Sequence, residues 1–228
     1  MVTERPTRDV ERALRDDGHR VIVGVDEVGK GAWAGPLAIG VAVIPEATEP
    51  PAQVEVLIRD SKSITEKRRE AMFDTLASWC VDWSIGFASA QECDEMGMSR
   101  AQRVATSRAL SSLSTRADAA VVDGPWDFVS PHVPHVTTLV KGDQRCLSIA
   151  AASILAKVTR DRLMRELADE LPMYRFESNK GYPCAWHRAG LFALGPSTVH
   201  RRSWAFMDAL GFWGGVGRVE GGAGRVRQ

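Results

Sequence analysis

Three short apolar runs in this 228-residue chain each lead to an acidic residue within three positions. Val21–Val25 (VIVGV) ends at Asp26-Glu27, Ala119–Val122 ends at Asp123, and Val136–Val140 is followed by Lys141-Gly142-Asp143. Short β-branched runs bounded by turn formers read as buried strands. A further run, Leu37–Ile44, follows the first after Gly29, Gly31, Gly35 and Pro36, so these two strands are predicted to pair antiparallel. Val81, Trp83, Ile85 and Phe87 alternate with smaller or polar residues and predict a strand over Val81–Ala88. Ser63 with Glu66 matches a capping box ahead of Met72, Leu76 and Trp79 at helical spacing. Helices are also predicted over Ser99–Leu113 and from about Cys146 to Ala168. The small residues Ala150-Ala151-Ala152-Ser153 let the second lie close on a sheet, and Leu171-Pro172 ends it. A loop over Tyr174–Ala185 and two short helices near 186–194 and 198–209 complete the pattern. The order of strands and helices is that of an α/β sheet of mixed direction.

The chain divides into a polar N-terminal segment (1–20), a main domain (21–170), a C-terminal helical extension (171–210) and a tail (211–228) with seven glycines, predicted to be disordered. Hydrophobic residues make up 44% and charged residues 25%, which excludes a disordered or fibrous chain. No apolar run approaches the roughly 20 residues that span a bilayer. Met1–Arg20 has no apolar core of the secretory kind. Cys80, Cys93, Cys146 and Cys184 lie far apart with no C-x-x-C pair, the pattern of reduced thiols in a cytoplasmic protein. The net charge is zero but unevenly spread. Residues 1–140 hold 15 basic and 21 acidic side chains, a net of −6, and residues 141–228 hold 14 and 8, a net of +6. Such a division can set carboxylates beside a surface that attracts phosphate.

If the first, fourth and fifth strands run parallel, their C-terminal ends share the edge at which open α/β sheets bind ligands. Four carboxylates gathered there repel one another unless divalent cations lie between them. Ligation by oxygen alone favours Mg²⁺ or Mn²⁺ over zinc. Two such ions roughly 3.5–4 Å apart form a site that cuts phosphodiesters in line. Any one of these aspartates is also explained as a turn former at a strand end. Neighbours on a strand point to opposite faces, so Asp26 and Glu27 share a site only if the strand is breaking there. Asp161 is a rival ligand, but 18 residues of helix would put it roughly 27 Å from Asp143. Flanked by Arg160 and Arg162, it reads as a surface ion-pair partner or a support for the fold.

The motifs resemble the ribonuclease HII family. The similarity is carried by Val25–Leu37 (VDEVGKGAWAGPL), Asp60–Lys62 (DSK), Val122–Gly124 (VDG) and Lys141–Asp143 (KGD). It continues through Ser148–Asp161 (SIAAASILAKVTRD), Gly181-Tyr182 and His200–Ser203 (HRRS). The resemblance implies a ribonuclease H-like mixed five-stranded sheet flanked by helices, with a small C-terminal helical extension. It implies a Mn²⁺- or Mg²⁺-dependent endonuclease that cuts the RNA strand of RNA–DNA hybrids and single ribonucleotides in duplex DNA, leaving 5′-phosphate and 3′-hydroxyl ends. It places the metal-binding acids at Asp26, Glu27, Asp123 and Asp143. It places the reading of the ribose 2′-hydroxyl at Gly29, Lys30 and Gly31, with Tyr182 against the neighbouring sugar. The partner implied is a hybrid or ribonucleotide-containing duplex, bound by a monomer without a membrane, while any replication or repair partner is unspecified.

Lys30 departs from the family's usual arginine; the backbone contacts of the flanking glycines survive that change, but a bidentate grip on phosphate does not. Asp60, Ser61 and Lys62, before a capped helix, read as an anion-binding turn, and Lys141 and Lys180 as contacts to backbone phosphates. His187, near Tyr182, has two readings, a phosphate contact and the commoner structural histidine. His132 and His135 read as a solvent-facing loop. Trp126 and Trp186 fall in predicted loops where stacking on a base or sugar is open to them. Two rivals remain: another nuclease of the same fold, disfavoured by the glycine loop and Tyr182, and an inactive hybrid-binding protein, disfavoured by the complete acid set.

Overall fold

The computed structural model describes residues 5–59 and 65–208. Its single sheet has the order β3-β2-β1-β4-β5. The strands are β1 Ile22–Val28, β2 Leu37–Val43, β3 Asp82–Ala88, β4 Ala119–Asp123 and β5 His135–Leu139. β2 pairs antiparallel with β1 and β3, while β4 runs parallel to both β1 and β5. This is the expected mixed sheet, with β1, β4 and β5 ending on one edge. Val25 lies opposite Val122, so Asp26 and Asp123 follow at one level.

The helices are α1 Asp9–Asp16, α2 Ala52–Arg59, α3 Glu66–Trp79, α4 Ala90–Met96, α5 Met98–Ser111, α6 Leu147–Glu170, α7 Phe176–Asn179, α8 Ala185–Leu194 and α9 Ala205–Asp208. The pleat divides the core. Val23, Val25, Ile39 and Val41 pack with Ala101, Ala105 and Ala109 of α5, and the alternate residues of β1 and β2 face α6. A Cβ on Gly24 would stand 2.2 Å from the backbone carbon of Ser148, and one on Gly40 would stand 2.5 Å from the Ala152 carbonyl. The alanine run of α6 thus meets glycines on the sheet, and the helix lies close enough for its side chains to reach the sheet's end.

Three local features differ from the sequence-based expectations. α3 begins at Glu66 with Thr65 as its cap, the Thr65 hydroxyl accepting the Arg68 N–H at 3.4 Å; Ser63 lies outside the described residues. A full capping box stands instead at Ser89 and Glu92, which opens α4. α1 buries more than a polar N-terminal segment should: Arg8, Glu11 and Leu14 are all buried. Glu11 accepts the Ser148 N–H at 2.8 Å and so caps α6 from a distant part of the chain. Among the described residues no helix is long and apolar enough to cross a membrane.

Candidate active site

Asp26 stands on the α6 side of β1 and is 8% exposed. Its Oδ1 accepts the Glu27 N–H at 2.7 Å, and Ser153 of α6 adds a side-chain hydrogen bond. The strand does not break at Asp26, contrary to expectation. It continues to Val28, with Asp26 opposite Gly40 and Glu27 opposite Ile39. The pleat therefore sends the two acids to opposite faces. Glu27 accepts from Gln102 Nε2 of α5 at 3.1 Å and from Lys30 Nζ at 2.8 Å. Both acids still line one cleft, because they sit at the end of the strand and not in its middle.

Asp123 closes β4, and its Oδ1 accepts the Gly142 N–H at 2.6 Å. Asp143 belongs to the one-turn 3₁₀ helix Gly142–Gln144, which the chain enters through Lys141 in the left-handed region at φ 56°. The cleft, about 430 Å³, is lined by Asp26, Glu27, Val28, Arg69, Asp143, Ser153, Ile154, Lys157 and Tyr182. Burial, reinforced by the negative charges of Asp123 and Glu27, pushes the Asp26 pKa up to about 7 against the opposing hydrogen bonds from Ser153 and the Glu27 N–H.

Among the described residues no three acid, histidine or cysteine side chains close into a cage. Glu27 is turned to Lys30 and Gln102, and Asp123 to Gly142. The donors still fit a hard divalent cation, since they are all carboxylate oxygens. A positive charge placed among them would also offset the burial and the repulsion that together raise Asp26.

The glycine loop adjoins this edge. Gly29 adopts φ +86°, and a Cβ there would fall 2.2 Å from Arg160 Nε. Gly29 donates its N–H to Tyr182 Oη at 3.0 Å. Gly31 is exposed, with open space where a side chain would be. Two fully buried arginines hold the loop by its carbonyls. Arg160 donates to Pro36 (2.8 Å), Lys180 (2.9 Å) and Ala34 (3.1 Å). Arg201 donates to Lys30 (2.9 Å) and twice to Gly35 (3.1 and 3.3 Å). Neither arginine was foreseen as part of the site. Arg160 sits in a charged run, Arg160-Asp161-Arg162, that reads as a surface until the fold covers it.

The remaining sequence candidates separate clearly. Asp60, Ser61 and Lys62 lie outside the described residues. Lys141 is exposed beside Asp143. Lys180 does not face an open surface, which corrects its reading as a phosphate contact: it is 5% exposed, and its ammonium lies 3.0 Å from Glu66 Oε2. Asp161 pairs with Lys157 on its own helix and is buried rather than superficial. Lys157 and Arg69 are cleft-lining cations that the motif reading overlooked. His187 is wholly buried, as a structural histidine is. Trp126 and Trp186 are exposed, as a stacking role requires.

The family pattern described as Ribonuclease HII matches residues 23–207. A ribonuclease HII of Streptomyces avermitilis is 46% identical over 215 residues, covering 93% of this chain and 89% of that protein. One of Paracoccus denitrificans is 42% identical, covering 88% of this chain and 92% of that protein. Among solved structures, the ribonuclease H2 of Pyrococcus horikoshii superposes with a TM-score of 0.70 at 28% identity, over 84% of this chain and 97% of that one.

Proposed function

The chain belongs to the ribonuclease HII family, and from that premise we propose that it hydrolyses the RNA strand of RNA–DNA hybrids and cuts at a single ribonucleotide within duplex DNA. Asp26, Glu27, Asp123 and Asp143 would hold two Mg²⁺ or Mn²⁺ ions, with Glu27 exchanging Lys30 for the metal. Bound ions supply a reactive water near neutral pH and neutralise the leaving 3′-oxygen. Because the 3′-oxygen would be the leaving group, breaking the P–O3′ bond would give products with 5′-phosphate and 3′-hydroxyl ends.

One observation carries the specificity: the Tyr182 hydroxyl sits on the Gly29 N–H beside the acids. Tyr182 Oη already accepts a hydrogen bond there, so its own O–H remains to be donated. A ribose 2′-oxygen can take it, and the DNA sugar has no such group. The exposed backbone at Gly31 and the flat phenol complete a surface for one sugar. Lys157, Arg69 and Lys141 are placed to meet phosphates around it.

The deciding assay is cleavage of a duplex with one embedded ribonucleotide, beside an all-DNA control, with Mg²⁺ or Mn²⁺. We expect nicking of the first only; equal cutting of both would exclude the proposal. Tyr182→Ala should slow cleavage at the lone ribonucleotide more than within an RNA tract, because a tract offers neighbouring registers for productive binding. Tyr182→Phe, which keeps the face and loses the hydroxyl, should fall between Ala and wild type.

A further inference from the structure

Behind Tyr182 runs a chain of hydrogen bonds whose directions are fixed. The Ser197 N–H donates to His200 Nδ1 at 3.0 Å, with the Ser197 hydroxyl 2.8 Å from the same nitrogen. That nitrogen therefore carries no proton, and the neutral ring must carry one on Nε2. His200 Nε2 lies 3.0 Å from His187 Nε2, which must accept. His187 is left with its proton on Nδ1, 2.9 Å from the Tyr182 carbonyl, the one acceptor there. Each link dictates the next, so both tautomers are set by the network. A second proton on either ring would place two donors face to face. Both histidines are buried, beneath Trp33, Tyr174 and Phe176. Burial lowers the pKa of each, and it holds His200 down to about 3 with His187 and Arg202 adding to the effect.

We propose that His187 and His200 are positioning residues for Tyr182: their tautomer-locked pair holds the Tyr182 carbonyl, and through it keeps the phenol oxygen on Gly29. This rests on the ribose-reading role given to Tyr182 above. Tyr182 leaves Gly181 at φ +81° and enters α8 three residues later, so little regular structure restrains it. The Arg160 guanidinium lies over its ring, 5.5 Å from the centroid, and three hydrogen bonds fix the rest of Tyr182. Its N–H donates to the Asn179 carbonyl at 2.9 Å, its hydroxyl takes the Gly29 N–H, and its carbonyl takes the His187 N–H. Without the last, the peptide between Tyr182 and Pro183 can turn, and the phenol moves with it.

Two isosteric substitutions separate positioning from packing. His187→Asn puts an amide N–H near the place of Nδ1 and keeps the bond to Tyr182. His187→Gln puts its amide near Nε2, keeping the contact to His200 and losing the bond to Tyr182. In the folded full-length protein, we expect exchange protection of the Gly29 amide to fall about fivefold in His187→Gln and to be retained in His187→Asn, the scale of one ordinary hydrogen bond. The ratio of cleavage at a lone ribonucleotide to cleavage in an RNA tract should fall in parallel in the Gln variant alone. Equal Gly29 protection in both variants would overturn the proposal, as would parallel losses in both. A drop in protection with an unchanged rate ratio would leave the positioning intact and remove Tyr182 from ribose reading.

Discussion

Backbone pairing brings the acids to their edge: β1 delivers Asp26 and Glu27, β4 delivers Asp123, and one 3₁₀ turn behind β5 delivers Asp143. The adjoining loop of residues 29–36 belongs to no strand, and both side chains and backbone of distant segments hold it. Arg160 and Arg201 bind its carbonyls, Gly181 accepts the N–H groups of Trp33 and Ala34, and Tyr182 takes the N–H of Gly29. The two regions also differ in charge. The edge concentrates negative groups that repel one another, whereas the loop is fastened by buried cations on neutral acceptors. A sheet end suits reaction chemistry, because its geometry is rigid before any ligand arrives. A loop tied at several points suits recognition, because its backbone stays open to a sugar while its shape is fixed.

The sharpest way to break this contrast is Asp123→Asn. At a metal site even outer partners are worth roughly ten- to a hundredfold, so if Asp123 is a direct ligand, as proposed, its loss should cost more than about a hundredfold in rate. Hybrid binding should remain, and the metal-free protein should melt slightly higher because a like charge has left the cluster. Near-normal turnover in saturating Mg²⁺ would remove Asp123 from the site.

Arg160→Lys tests the other region. A lysine ammonium cannot reproduce a planar fork that serves three carbonyls. Charge-assisted bonds are worth about 1.5–3 kcal/mol each, and the shorter ammonium can keep part of the set, so urea unfolding should report a net loss of about 3 kcal/mol. Stability equal to wild type would mean that the loop does not depend on this arginine.

Acid should move the two regions in opposite directions. Asp26, raised to about 7 from an ordinary value near 3.8, binds more protons folded than unfolded below pH 7, so its contribution to stability grows as pH falls. His200, lowered to about 3, binds fewer folded than unfolded below about pH 6.5, so its contribution is complete above that pH and is lost toward pH 3. Each effect amounts to about 2 kcal/mol between pH 7 and 5, and they largely cancel in the metal-free protein. Asp26→Asn should therefore lose about 2 kcal/mol over that interval and His200→Gln should gain. Identical pH profiles for the two variants would contradict both assignments.

The smallest expected effect lies where the regions touch. Lys30 pairs with Glu27 at 2.8 Å, with both side chains partly in solvent. Exposed pairs contribute about 0–1 kcal/mol, so Lys30→Met should tighten metal binding by at most about fivefold, read as a shift in the Mg²⁺ midpoint of activity. A weaker midpoint would show that Lys30 assists the metal site rather than competing with it.

The strands and the acids at or just beyond the ends of three of them were legible from short apolar runs bounded by turn formers and acids, because central strands buried on both faces leave continuous apolar stretches and the half-buried β3 leaves an alternating one. The long alanine-bearing helix was legible too, and the resemblance put Tyr182 and the glycine loop at one sugar. Other features were decided only by tertiary structure. The Asp26-Glu27 strand stays regular and splits the acids between two faces, since β2 pairs with it past the point where the glycines suggest a break. Arg160 stands in a charged run that reads as surface in the sequence and Arg201 carries no local signal, and only the meeting of α6, the C-terminal segment and the loop buries them on carbonyls. The same holds for Lys180 on Glu66 and Glu11 on the start of α6. A polar side chain's partner is fixed by which elements come together, and no local periodicity encodes a contact between residues more than a hundred positions apart.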